Sequence, residues 1–309
     1  MNKKKCIVIT GPTGIGKTAI AIELAKDYQT SIISADSRQC FNELTIGVAK
    51  PTQQQLQEVK HYFINSHSIH DNVTVADFET YSLDAATEIF SKNDIAVLAG
   101  GTGLYVKAFC EGLDHIPATD LAIRNAVITS YNENGITYLQ KELQSRDPEF
   151  YSSADIHNPQ RMMRALEVFL QTGKSIREFQ QGEKASRSFD IIKIGLELPR
   201  ELLNAQINQR VDNMIEEGLE QEALQLLPFR NLNALQTVGY KEMFDYFDKE
   251  LSLEQAIASI KQHTRNYAKR QVTWFKKYNA SYLYDPRQLG KIRDAVASQL
   301  QGIHTKNDS

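Results

Sequence analysis

Long apolar runs are missing from this 309-residue sequence, and so is any excess of positive charge. No stretch approaches the roughly 20 apolar residues that a bilayer-spanning helix needs, which excludes a helical membrane protein. No charged segment with an apolar run behind it marks a signal peptide, because Cys6–Thr10 is too short for one. A cytoplasmic protein with no membrane partner is therefore expected. Cysteine is scarce: Cys6, Cys40 and Cys110 lie far apart and form no C-x-x-C pair, which argues against a disulfide framework and against a zinc finger. The histidines, His61, His67 and His70 among them, lack ligand spacing backed by other ligands and read as structural. A net charge of −3 rules out nucleic-acid binding by bulk charge, so any RNA contact must rest on local basic patches. No internal repeat is visible. What is present suffices for a sizeable core, since 41% of the residues are hydrophobic.

The apolar, β-branched run Cys6–Thr10 predicts a buried strand, and Gly16–Asp27 a helix carrying Ile20, Ile22 and Leu24. Ser31–Ala35 and Ile95–Ala99 predict further strands. Strands alternating with helices imply an α/β fold, a parallel sheet flanked by helices on both faces. From about Asp120 the character changes. Residues Leu121–Phe179 carry helical patterns and no convincing strand, punctuated by Pro148 and Asn158–Pro159. One helix should start at Pro159, with Asn158 as N-cap and Gly173 just past its end. Ile191–Leu198 reads as a strand returning to the sheet. A helix from about Arg200 follows, with Leu203, Ile207, Val211 and Ile215 on one face. The expected organisation is a core, 1–120; a helical insertion, 121–185; a second part of the core with C-terminal helices, 186–301; and a flexible tail, 302–309.

Gly11-Pro12-Thr13-Gly14-Ile15-Gly16-Lys17-Thr18 matches G-x-x-x-x-G-K-[ST], directly after a predicted strand and opening a predicted helix. Glycines let backbone N–H groups turn inward around phosphate oxygens, and the helix N-terminus adds partial positive charge. Lys17 supplies a full charge, and the Thr18 hydroxyl suits Mg²⁺. A turn that merely connects strand to helix leaves the Lys and Thr after the last glycine unexplained. Phosphate binding does not by itself mean ATP. A nucleotide hydrolase usually has a second strand ending in an Asp that holds Mg²⁺, whereas Ile95–Ala99 runs into Gly100-Gly101-Thr102-Gly103-Leu104-Tyr105. Asp36 ends the other strand, beside the loop, where ligands of doubly wound sheets gather. It is suited equally to a proton acceptor and to the shell of a metal ion.

Eight blocks in order then carry a resemblance. GPTGIGKT (11–18), SADSRQ (34–39), GVAKP (47–51), GGTGLY (100–105), NPQRMMRALEV (158–168), RVDNM (210–214), QTVGYKE (236–242) and YAKRQVTWF (267–275) are together similar to the tRNA dimethylallyltransferases, or tRNA isopentenyltransferases, of bacterial type. The resemblance spans nearly the whole chain. It implies a P-loop NTPase-like sheet that binds dimethylallyl diphosphate instead of ATP. The acceptor is the exocyclic N6 amine of the adenosine 3′ of the tRNA anticodon. The helical insertion grips the anticodon stem-loop, and the two substrates enter a channel from opposite ends. Mg²⁺ is the implied cofactor, and a monomer is expected. Phe41 and Val48 stand where the family often has Tyr and Thr, so two hydroxyls are absent. The C-terminal zinc finger of eukaryotic members is absent too, consistent with the missing cysteine pairs.

The resemblance gives roles to single residues. An adenine amine is a weak nucleophile, and a carboxylate that accepts its proton strengthens it in the transition state. Asp36 occupies the family's base position, although an Asp at a strand end is also a common turn cap. Diphosphate departs from an allylic carbon, and Lys17, Thr18 with Mg²⁺ and the loop amides of 11–18 would stabilise its growing charge. Arg210 lies in the row Leu203, Ile207, Arg210, Met214. Spacing alone allows it to snorkel to water; the RVDNM block assigns it to diphosphate. Thr102 suits the acceptor adenine, the base, or an N-cap. Ser37, Arg38 and Gln39 would meet nucleotides beside the acceptor. Gln160, Arg161, Met162, Met163 and Arg164 open the insertion helix as RNA contacts, although composition alone favours a solvated charged face for its arginines. Arg124, Gln236 and Lys241 complete the RNA set by position. Lys261, Arg265, Lys269 and Lys276 form a basic helical stripe, while Tyr267, Trp274 and Tyr278 read as core. The alternatives are an ATP-dependent kinase or NTPase, an isopentenyltransferase acting on free adenine nucleotides, and a non-catalytic RNA binder with a relic loop. The intact Lys17, Thr18 and Asp36 speak against the last.

Overall fold

The structure is a computed structural model that describes residues 3–180, 182, 184–278 and 283–302. The tail expected at 302–309 lies, from residue 303 on, outside the described residues. The chain forms two compact units, one of residues 1–110 with 186–309 and one of residues 111–185.

The first unit is built on six parallel strands, β1 (Lys5–Thr10), β2 (Ile32–Ser34), β3 (His61–Tyr62), β4 (Ile95–Gly100), β5 (Asp190–Leu196) and β6 (Leu283–Tyr284), in the order β3-β2-β4-β1-β5-β6. β3 and β6 escape sequence reading because two residues carry no periodicity. The central strands are apolar on both sides, as a sheet covered on both faces requires. Alternate residues feed two separate cores: Cys6, Val8, Ala96 and Leu98 enter one, and Ile7, Ile9, Val97 and Ala99 the other. In register, Thr10 pairs with Gly100 and Ser34 with Ala99, so the carboxyl ends of β1, β4 and β2 finish side by side. β2 joins the sheet beyond β4, which leaves a crevice at the ends of β1 and β4, where such sheets bind ligands.

Helices α1 (Lys17–Asp27), α2 (Gln53–Glu58), α3 (Val75–Phe90) and α4 (Gly103–Glu111) come first in the chain. The second unit is all helical: α5 (Leu121–Arg146), α6 (Pro148–Ser153), α7 (Pro159–Thr172) and α8 (Ile176–Phe179). Its α7 is capped as expected, with the Asn158 side chain accepting from the Arg161 N–H and Gly173 left-handed at φ 70°. Residues 111–120, which sequence character assigns to the sheet part, pack with this unit instead. Gln171 bonds the Asp120 N–H and the Ala118 carbonyl, and Asp114 accepts from the Gly182 N–H. The unit has its own core, centred on Leu139, Leu143, Met162 and Leu166. Back in the first unit follow α9 (Arg200–Glu216), α10 (Leu219–Leu226), α11 (Tyr240–Phe247), α12 (Leu253–Tyr278) and α13 (Leu289–Leu300). Among the described residues, no helix is long and apolar enough to cross a membrane.

Candidate active site

The loop Gly11–Gly16 connects β1 to α1. Gly14 has φ +79°, and a Cβ there would stand 2.9 Å from Ile207 Cγ1 on α9, so conformation and space both demand glycine. Ile15 offers the loop only its backbone, its side chain being 2% exposed in the core. Pro12 has no N–H to give, and its carbonyl accepts from Lys17 Nζ at 2.8 Å.

Lys17, Thr18, Asp36, Gly101, Arg210, Tyr267 and Gln271 line one cavity of about 320 Å³ above the strand ends. Asp36 follows β2. Its Oδ1 accepts from the Arg38 N–H at 2.9 Å, so it caps a turn and also faces the cavity. Thr102 stands immediately before α4, but its hydroxyl accepts from the Ser37 N–H at 3.1 Å. This ties the β4 loop to the segment that carries Asp36. Arg210 comes in from α9, on the turn after buried Ile207, and reaches the cavity instead of open water. Burial lowers its guanidinium pKa, and Asp36 opposes that shift. The lining also includes the apolar Ala21, Ile32, Ala49, Pro51 and Ile64, together with the polar Ser34, Gln39, Gln55 and His61.

Burial also lowers the Lys17 pKa to about 7; Asp36 opposes the shift and Arg210 adds to it. A bound diphosphate favours the charged ammonium. Above pH 7 the lysine of the free protein is mostly neutral, so binding must take up a proton there. The affinity for inorganic diphosphate should fall by up to about tenfold per pH unit above 7, and Lys17→Met should remove this contribution. Calorimetry in buffers of different ionisation heat measures the uptake. No uptake at pH 8, with wild type and Lys17→Met titrating in parallel, would sink the assignment.

The other residues named from sequence lie as follows. Arg38 Nη1 donates to the Asn233 carbonyl at 2.9 Å, three residues before Gln236. Gln236 and Lys241 are exposed. Gln39 is committed within the protein, its amide donating to the Val48 and Ala49 carbonyls, so it shapes the cavity and has no donor left for RNA. On the helical unit Arg124, Gln160 and Arg161 are exposed. Met162 and Met163 are not surface contacts: both are buried in that unit's core, because the apolar face of α7 must pack on α5. Arg164 stays partly exposed, but its guanidinium is engaged by the Thr119 hydroxyl, the Pro117 carbonyl at 3.0 Å and Glu167 at 3.6 Å. The basic stripe of α12 is largely partnered, Lys261 by Asp212 at 2.5 Å and Lys276 by Glu197 at 2.6 Å. Phe41 and Val48 pack in the core.

Several cavity residues are not assigned to the site from sequence, among them His61, read as structural, and Tyr267 and Gln271 of α12. Tyr267 reads as core but lines the cavity. Burial, then the charge of Asp36, pushes its phenol up to about 12, so it is neutral at any physiological pH. Gln271 lies one helical turn further along α12. The available signal was the row Tyr267, Gln271, Trp274, Tyr278, a mixed polar and aromatic face at helical spacing.

Residues 39–278 match the family described as IPP transferase. The tRNA dimethylallyltransferase of Flavobacterium psychrophilum is 48% identical over 96% of this chain and 98% of its own. That of Cytophaga hutchinsonii is 44% identical over 96% and 98%. The crystal structure of the tRNA isopentenylpyrophosphate transferase of Bacillus halodurans is similar at a TM-score of 0.72 and 34% identity, covering 97% of this chain and 98% of that one. A eukaryotic dimethylallyltransferase acting on tRNA is similar at a TM-score of 0.81 and 26% identity, covering 99% and 81%.

Proposed function

As this chain belongs to the IPP transferase family, we propose that it moves a dimethylallyl group from dimethylallyl diphosphate to the N6 amine of the adenosine 3′ of the anticodon in tRNA. It is a prenyltransferase. The observation that carries the reading is a single cavity in which Asp36 is joined by Lys17 of the phosphate loop and Arg210 of α9, while β4 ends in glycines where a metal-ATP enzyme places an acid.

The loop amides of 11–18, other than Pro12, which has no N–H, and Thr13, whose N–H donates to Gln271, hold the diphosphate with Lys17 and Arg210, and the apolar lining takes the dimethylallyl tail. The N6 lone pair forms the bond to the allylic carbon as the carbon–oxygen bond breaks, and its electron pair leaves with diphosphate. Lys17 and Arg210 stabilise that oxygen where its charge develops. The N6 proton passes to the Asp36 carboxylate, and the Thr102 hydroxyl orients the amine. Among the described residues, no cluster of three His, Cys, Asp or Glu side chains could hold a metal ion. The Thr18 hydroxyl on the cavity wall would help hold Mg²⁺, and such an ion would neutralise charge on the leaving group. Ser37, Arg38, Gln236 and Lys241 on one unit, with Arg124, Gln160 and Arg161 on the other, are the proposed contacts to the anticodon stem-loop. The protein acts as a monomer in the cytoplasm.

Incubation with radiolabelled dimethylallyl diphosphate tests this. Label should enter unmodified tRNA and release diphosphate, with AMP a poor acceptor because it brings no stem-loop contacts. AMP prenylated as efficiently as tRNA overturns the tRNA assignment. ATP turnover with no prenyl transfer makes the chain a kinase or NTPase.

A further inference from the structure

Gln271 is buried, at 6% exposure, and both ends of its amide are engaged. Its Oε1 accepts from the Thr13 N–H at 2.8 Å, and its Nε2 donates to the Gly101 carbonyl at 2.7 Å. A backbone N–H only donates and a carbonyl only accepts, so the two partners fix the orientation of the amide. Thr13 belongs to the loop that takes the diphosphate. Gly101 immediately precedes Thr102, in the loop that takes the acceptor amine. These loops leave adjacent strands whose pairing ends at Thr10 and Gly100. Beyond that point Gln271 bridges them from a third element, α12. The fit is close: a Cβ on Gly101 would stand 2.5 Å from Gln271 Nε2. The same helix seals the next residue pair, since a Cβ on Gly103 would stand 2.7 Å from the Trp274 ring.

We infer that Gln271 is a positioning residue, a cross-strut that sets the gap between the allylic carbon and the attacking N6 by holding the diphosphate loop and the acceptor loop at a fixed separation. The inference rests on the transfer reaction proposed above. Reacting atoms need to stand about 3–3.5 Å apart, and a displacement of about 1 Å can cost about 100-fold in rate. Gln271 lines the cavity, but both polar ends of its amide are taken by the two loops, so its contribution should lie in the chemical step and not in the binding of either substrate.

Single-turnover transfer to an anticodon stem-loop RNA, at saturating concentrations of both substrates, tests this in the full-length protein. Gln271→Leu keeps the bulk and loses both hydrogen bonds. It should slow transfer about 10–100-fold, while the dissociation constants of inorganic diphosphate and of the RNA, each measured alone, stay near wild type. Gln271→Glu keeps the bond from Thr13 but sets an oxygen against the Gly101 carbonyl; its rate should fall in the same way, because only one loop is held. If the leucine variant does not fold, the glutamate variant decides. Wild-type rates in the variants overturn the inference and leave the proposed function standing. A loss of rate matched by an equal loss of both affinities also overturns it, since that is the signature of a collapsed loop. A wild-type enzyme that transfers nothing to RNA overturns the proposed function and this inference with it.

Discussion

Asp36→Asn should slow single-turnover transfer by about 10²–10⁴-fold, the usual contribution of a general base, with little change in tRNA affinity. The substitution is informative because the asparagine carbonyl can still accept from the Arg38 N–H, as Asp36 Oδ1 does at 2.9 Å. The turn that presents residues 36–38 is kept, and only proton-accepting power and charge are lost. The charge has a second effect to separate. Asp36 raises the pKa of Lys17 against the opposing pull of burial, so its removal should leave Lys17 less protonated near pH 7 and weaken diphosphate binding there. Saturating dimethylallyl diphosphate, or a pH well below 7, removes that component; the loss in the chemical step should persist. A rate that survives while the dependence on Mg²⁺ shifts would assign Asp36 to the metal shell.

The parts of this site that lie close together in the chain are legible in the sequence. The loop at 11–18 encodes its own turn, charge and helix start within eight residues, and the cap and stop of α7 are equally local. Asp36 and Arg210 are harder, because an acid after a strand and an arginine in an apolar row both have ordinary structural roles; only the surrounding blocks singled them out. Gln271 was not legible. Its partners Thr13 and Gly101 lie 258 and 170 residues away, and helical spacing says which face a residue shares but not what that face meets. The opposite error occurred at Met162 and Met163. Membership of a recognisable block placed them at a surface, while the packing of α7 on α5 turned them inward.

Deleting residues 111–185 and joining Cys110 to Ser186 through a short Gly/Ser linker should abolish nearly all tRNA prenylation while inorganic diphosphate still binds. The two core clusters of the sheet unit contain only residues of that unit, and the third contains only residues of the deleted one. No side chain of either remaining core is therefore removed. The Ala185 N–H donates to the Glu111 carbonyl at 2.8 Å, so the two chain crossings are neighbours and a short linker closes the gap at small entropic cost. Arg187, which bonds the Ala108 and Phe109 carbonyls and Glu79, stays to hold the end of α4. The acceptor adenosine lies stacked in its loop, and drawing it out costs a few kcal/mol that contacts with the flanking RNA must offset. At 1.4 kcal/mol per tenfold, losing the contacts proposed for Arg124, Gln160 and Arg161 should lower kcat/KM for tRNA by about 10²–10³-fold. AMP, which never used them, should remain as poor an acceptor as it is for the intact enzyme. A cooperative melt and diphosphate binding by calorimetry establish that the sheet unit has folded. Prenylation of tRNA at the intact enzyme's rate by that folded unit would show that the RNA is gripped by the sheet unit alone.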